Sequence, residues 1–311
     1  MSTLARLGGW LALALALGFL GHSLWESAPW RLAAARSGEL ALAIGAGTLV
    51  HGLAGFLLAE AWRQLLGPGA GVARKHYHAL YGRTQIAKYL PGNCFHFVGR
   101  QLLGRRLGHG HGALALATLA EAALQLAVAA SLGLPLVAPD LAQVTGRAPV
   151  WPWAAMLAAL GLVALIVRWS GVRFSEAVTQ VLLAFRSLAP RLPGAGLLYL
   201  AFFAVGGLNL WTIAAATHVP DAPALDLLRA VSTMALAWCA GFVVPGAAAG
   251  VGVREAVLVL GLEPQLGADA ALVAALGLRV VTTLGDLLFF ALCCLTPAQP
   301  EIEETGIPSG T

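Results

Sequence analysis

Charge is scarce in this sequence. Asp, Glu, Lys and Arg make up 11% of its 311 residues, against about 25% in an ordinary soluble domain. Apolar residues supply 59%, and the mean hydropathy is +0.78. No long polar stretch remains for a soluble catalytic domain, which excludes a soluble enzyme carried on a membrane anchor. Lysine is nearly missing, with 17 arginines and 2 lysines. These basic residues decorate no polar domain, so nucleic acid is not expected as a partner. Cysteine is sparse too. Cys94, Cys239, Cys293 and Cys294 sit in apolar surroundings without a CxxC pair, which argues against a disulfide framework or a zinc site. They read as small buried apolar residues. Catalytic signatures are missing as well. There is no DxD, no HxxxxD and no clear nucleophile. Gly250-Val251-Gly252 lacks the third glycine and the strand–helix context of a dinucleotide loop. The chain is therefore not expected to be an enzyme or to carry a cofactor. His76-x-His78 and His109-x-His111 have no carboxylate or thiolate beside them, so no metal is expected there.

What is present is long apolar runs. A membrane span needs about 20 predominantly apolar residues. Such runs predict spans at about Leu7–Leu24, Leu40–Trp62, Gly112–Leu134, Val150–Val167, Ala195–Thr217 and Ala270–Leu295. The first run lacks a good small-x-small cleavage site, so an uncleaved span is expected rather than a signal peptide. Tryptophans at the predicted span ends suit interface anchors. Residues 1–296 read as one transmembrane domain. Residues 297–311 form a tail with Glu301, Glu303 and Glu304 and are expected to be disordered.

The charges that do occur are unevenly placed. Eight basic residues and no acidic one lie between Arg63 and Arg106, which puts that side in the cytoplasm. Arg168, Arg173, Arg186 and Arg191 against Glu176 mark the same side, and Phe174–Leu188 suits a surface helix there. The loop Pro135–Pro149 and the segment with Asp221 and Asp226 suit the outside. Both termini then fall in the cytoplasm, and the protein belongs in a bacterial-type inner membrane.

Two stretches share a pattern. Leu90-Pro91-Gly92-Asn93-Cys94-Phe95-His96-Phe97-Val98-Gly99-Arg100 is echoed by Val244-Pro245-Gly246-Ala247-Ala248-Ala249-Gly250-Val251-Gly252-Val253-Arg254. Each has a Pro-Gly break and an arginine nine residues after the proline. Proline removes a backbone donor and disturbs the preceding turn, and glycine adds freedom to bend. Paired breaks in the two halves of a membrane chain point to a site near the midplane. The expected fold is an all-α polytopic membrane protein with about six full spans and two re-entrant helical hairpins. The hairpins cover about Tyr77–Leu103 and Leu227–Leu262 and enter from opposite faces, as inverted repeats would arrange them. A conventional eight-span chain, with the hairpin arms as spans, meets the same charge pattern.

Charged residues in such surroundings usually pair or line a cavity. Arg100 and Arg254 are the candidate headgroup-binding residues, because guanidinium forks match phosphate oxygens. Glu255, His96 and Asn93 lie beside them. Glu121, Arg279 and Asp286 are candidates for balancing cavity charge or coupling transport to protons. Pro91, Gly92, Pro245 and Gly246 are the structural breaks. A plainer reading pairs Arg279 with Asp286, seven residues apart on one helix face, and leaves Arg100 as a marker of the cytoplasmic interface.

The stretches Lys88-Tyr89-Leu90-Pro91-Gly92 and Gly252-Val253-Arg254-Glu255 resemble motifs of a known family. That family is the transmembrane, flippase-like domain of lysylphosphatidylglycerol synthases, together with standalone membrane proteins grouped with it. The resemblance covers roughly residues 5–296. In full-length synthases this domain moves aminoacylated phosphatidylglycerol between leaflets, and a separate soluble domain performs the aminoacyl transfer. The residues here leave no polar stretch for that domain, so synthase activity is not carried over. Ala247-Ala248-Ala249-Gly250 is more apolar than the glycine-rich run common in the family. The resemblance implies a lipid-handling membrane protein whose partner is a membrane lipid substrate. The alternatives are a membrane-embedded enzyme on a lipid-linked substrate, and a non-catalytic partner of a lipid or envelope biosynthesis enzyme.

Overall fold

The computed structural model describes residues 29–67, 71–90, 95–145, 187–217, 224–244 and 248–296, with the backbone alone for 29–30 and 134–145. The runs Leu7–Leu24 and Val150–Val167, most of Phe174–Leu188, the acidic tail, and Pro91, Gly92, Asn93, Pro245 and Gly246 lie outside the described residues. Every described element is helical: α1 (Pro29–Ala35), α2 (Ser37–Leu66), α3 (Arg74–Gln85), α4 (Phe95–Gly104), α5 (His111–Thr145), α6 (Leu192–Ala216), α7 (Leu227–Val243), α8 (Val253–Leu266) and α9 (Ala268–Cys294). Short 3-10 turns occupy Ile86–Tyr89, Arg105–Leu107, Ala189–Arg191 and Ala248–Gly250.

Among the described residues, four helices are long and apolar enough to cross a membrane: Ser37–Leu66, His111–Gly133, Ala189–Ala216 and Ala268–Cys294. The chain is thus an all-α protein of membrane type. At a rise of about 1.5 Å per residue, a 30-residue helix such as α2 is about 45 Å long, more than the hydrocarbon core. α7, with 17 residues, is shorter. α5 differs from expectation at its far end, where the backbone stays helical through Pro135 and Pro139 to Thr145. A proline costs a helix one bond and bends it, and need not end it.

Local signals place the ends. The Asp226 side chain accepts a bond from the Arg229 N–H (3.1 Å) and caps α7. Gly267, at φ +77°, separates α8 from α9 and returns its N–H to the Glu263 carbonyl (2.9 Å). α2 packs along both α6 and α9 at the centre. α3 lies against α2 and α9; α7 lies against α5, α6 and α8; and α8 lies against α9. Trp62, Tyr77, Tyr81, Tyr199, Phe203 and Phe289 fill this interior. Leu42, Leu53, Leu197, Leu208, Leu284 and Leu287 point outward, as lipid-facing residues do. Lipid tails give helices no hydrophobic reason to associate, so small residues that allow close approach matter. A Cβ at Gly55 would lie 2.5 Å from the Phe289 ring, and one at Gly52 2.8 Å from Leu288.

The two broken segments each fold back on themselves. α3 packs on α4 and α7 packs on α8. The turn Ile86–Tyr89, just before the first break, touches the turn Ala248–Gly250, just after the second. Sequence positions about 160 residues apart are thereby brought to one place.

Candidate functional site

A cavity of about 60 Å³ lies where the broken segments meet. A water needs roughly 10–15 Å³ by this measure, so the cavity takes a few waters, and a headgroup requires its walls to part. Arg100, Arg254, His96, Glu121, Arg279 and Asp286 all line it. Glu255 lines a smaller pocket that shares Arg254 and Arg279.

Among the described residues, the cavity charges are paired with one exception. Arg100, on α4, is 1% exposed and binds the Glu121 carboxylate of α5 and the Gln85 amide oxygen of α3. Glu121 also accepts from the Tyr81 hydroxyl (2.6 Å) and from Gln125 (3.1 Å). The Arg100 guanidinium lies 3.8 Å from the Tyr81 ring centroid. It is a buried, cross-linked group. Arg279 donates from Nε to Glu255 (2.5 Å) and from Nη1 to the Ala249 carbonyl (3.2 Å). Glu255 in turn accepts the Gly252 N–H (2.6 Å) at the start of α8. Asp286 takes the Lys88 ammonium (2.6 Å) and the Tyr89 hydroxyl (2.6 Å). Arg279 and Asp286 therefore do not pair with each other. Each holds one broken segment to α9.

Arg254 differs. It sits on α8 and is half-buried, and its Nε is buried without a hydrogen-bond partner. No ion pair or hydrogen bond is formed by it among the described residues. Its side chain threads between two glycines. A Cβ at Gly241 would fall 2.6 Å from Arg254 Cγ, and a Cβ at Gly250 would fall 2.7 Å from Arg254 Nε. Gly250 and Gly252 have φ of +73° and +82°, and Ala249 between the break and them has φ +49°. This left-handed run favours glycine and turns the chain so that α8 starts beside the cavity. Across the cavity and its adjoining pocket, the cations Lys88, Arg100, Arg254 and Arg279 face the carboxylates Glu121, Glu255 and Asp286. The surplus is one positive charge, on Arg254.

No family model matches this chain, and no curated protein matches it.

Several lining residues escape sequence reasoning. His51 on α2 is 5% exposed, with Nδ1 unpartnered, and it lines the cavity with Tyr81, Gln85, Lys88, Tyr89 and Gln125. One signal was available: His51 is an ionisable residue inside an apolar span. His96, 6% exposed, lies against Phe97 with ring centroids 3.8 Å apart and the rings tilted, and also leaves Nδ1 unpartnered. His78 pairs with Glu60 (3.0 Å) and His109 with the Tyr77 hydroxyl (2.7 Å), both apart from the cavity. Among the described residues, no group of three or more His, Cys, Asp or Glu could hold a metal.

Proposed function

We propose that this protein is a flippase-like membrane lipid transporter that moves an anionic or lipid-linked substrate between leaflets. The observation that carries the reading is Arg254, among the described residues the one cavity cation without a carboxylate, seated where the two broken segments meet. Three carboxylates already neutralise the other three cations. An incoming anion therefore finds one guanidinium fork free to take phosphate oxygens. In this reading α3–α4 and α7–α8 are re-entrant hairpins entering from opposite faces of an inner membrane, with both termini cytoplasmic. Irregular backbone is tolerable at membrane depth only where protein or a wet cavity surrounds it, and both turns adjoin the cavity. The headgroup crosses between the hairpins while the tails stay in lipid. The resemblance to the lysylphosphatidylglycerol synthase membrane domain points the same way.

The Lys88–Asp286 and Arg279–Glu255 contacts hold the cavity at its present size. Passage of a headgroup requires at least one to open. The test is reconstitution in liposomes with fluorescent phosphatidylglycerol and fluorescent phosphatidylcholine. A membrane-impermeant reductant should bleach phosphatidylglycerol label in both leaflets of protein-containing vesicles, faster than the phosphatidylcholine label. Bleaching confined to the outer leaflet for every anionic lipid tried would overturn the reading.

A further inference from the structure

His51 has no role in the account above, yet it sits in the same cavity as Arg254. It lies midway along α2, a helix otherwise without charge between Glu39 and Glu60. Its ring packs on Phe202 of α6 (centroids 5.6 Å apart). Its other side lies against Gly285 of α9, where a Cβ would come within 2.9 Å of the ring, next to Asp286. Nδ1 is buried and makes no hydrogen bond. The charged groups within electrostatic reach are Asp286 on α9, Lys88 on the Ile86–Tyr89 turn and Arg254 on α8. α6 contributes the Phe202 ring, and α2 itself contributes no charge beside His51. An ionisable side chain at this depth is a functional candidate by default.

Asp286 attracts a proton to His51, while Lys88, which pairs with Asp286, and Arg254 repel it; of the three, Arg254 is the one without a partner among the described residues. A positive Arg254 repels a proton on the imidazole, and in a poorly solvated cavity that repulsion is strong. An anion on Arg254 cancels it. We propose that anion binding at Arg254 is linked to protonation of His51, so that the headgroup and one proton occupy the cavity together. The inference rests on the transport reading and adds its energy coupling: a proton gradient drives an anionic headgroup in the same direction. Linkage is reciprocal, so the proton strengthens the anion by the factor by which the anion strengthens the proton. One linked proton gives at most about a tenfold change in anion affinity per pH unit. The change should fall on the acid side of about pH 6.5, the ordinary imidazole value, because a vacant Arg254 opposes the proton.

The test uses the purified full chain in detergent micelles. The probes are dihexanoylphosphatidylglycerol and, as its tail-free counterpart, glycerophosphoglycerol. Neither titrates near neutrality. Calorimetric titration in two buffers of different ionisation heat counts protons taken up per ligand bound. Uptake in the native protein and in His109→Gln, lost in His51→Gln, supports the linkage. His109 serves as control because it bonds Tyr77 away from the cavity. Native affinity rising several-fold per unit of acidification supports it as well, and needs no variant to fold. Binding without proton uptake overturns the linkage and leaves the transport reading standing. Uptake that persists in His51→Gln overturns the assignment to this residue. Failure of both probes to bind at any pH overturns the linkage and the transport reading together.

Discussion

At the scale of single residues, the two arginines at matched positions have different jobs. Arg100 is locked to Glu121, Gln85 and the Tyr81 ring. Removing one member of a buried pair leaves the other charge uncompensated and costs about 3–5 kcal/mol. Arg100→Ala should therefore lower thermal stability in detergent sharply. Arg254 leaves no carboxylate behind when removed. Arg254→Ala should melt at or above the native temperature while losing at least tenfold in affinity for short-chain phosphatidylglycerol. Equal destabilisation of both variants would contradict this division. A milder effect belongs to His109, just ahead of α5. Partial burial against Tyr77 lowers its ring below the ordinary imidazole range. A group with a depressed folded value favours the fold above its unfolded value and opposes it as pH falls. The contact of Tyr77 with His109 should weaken below about pH 6.5, and His109→Gln should flatten that part of the stability profile.

At the scale of elements, α9 is the member that ties the site together. The two charges it turns to the cavity, Arg279 and Asp286, are of opposite sign and hold opposite partners. Asp286 takes Lys88 and Tyr89 from the first broken segment, and Arg279 takes Glu255 and the Ala249 carbonyl from the second. Asp286→Asn should destabilise by about 3–5 kcal/mol by stranding Lys88, and Lys88→Met in the same chain should recover much of that loss. Additive losses in the double variant would show that the two residues do not act as a pair. Gly241→Ala tests how α7 shapes the site. Alanine favours a helix, but its Cβ would stand 2.6 Å from Arg254 Cγ. Anion affinity should fall while helix content stays.

Much of this architecture was legible beforehand. α2, α5, α6 and α9 stood out because about 20 apolar residues are the physical requirement for crossing, and each has that length. The Pro-Gly breaks and their arginines pointed to the meeting of the two turns. The pairing pattern was not legible, because partners in different helices are chosen by packing that hydropathy does not encode. Arg279 and Asp286 share a helix face, yet Glu255 and Lys88 reach them first. Lys88 counted as a cytoplasmic charge because position along the chain does not reveal that its turn lies against α9. His51 went unremarked because one histidine barely alters the hydropathy of a 30-residue helix.

At the scale of the whole molecule, the breaks make one cavity from two halves of the chain. The helices around it carry mostly neutralised charge, and Arg254 supplies the surplus. The proposed opposite entry of the two hairpins predicts that a cysteine placed at Gly71 is labelled from the cytoplasmic side and one at Leu228 from the other, in a background without native cysteines. Labelling of both from one side would contradict opposite entry. The central claim, that Arg254 carries an anionic headgroup between leaflets, is tested most directly by transport itself. Native protein and Arg254→Gln, reconstituted at equal density, are compared for movement of fluorescent phosphatidylglycerol. Label should exchange rapidly between leaflets with the native protein and at least tenfold more slowly with Arg254→Gln. Equal rates from two well-folded proteins would contradict it.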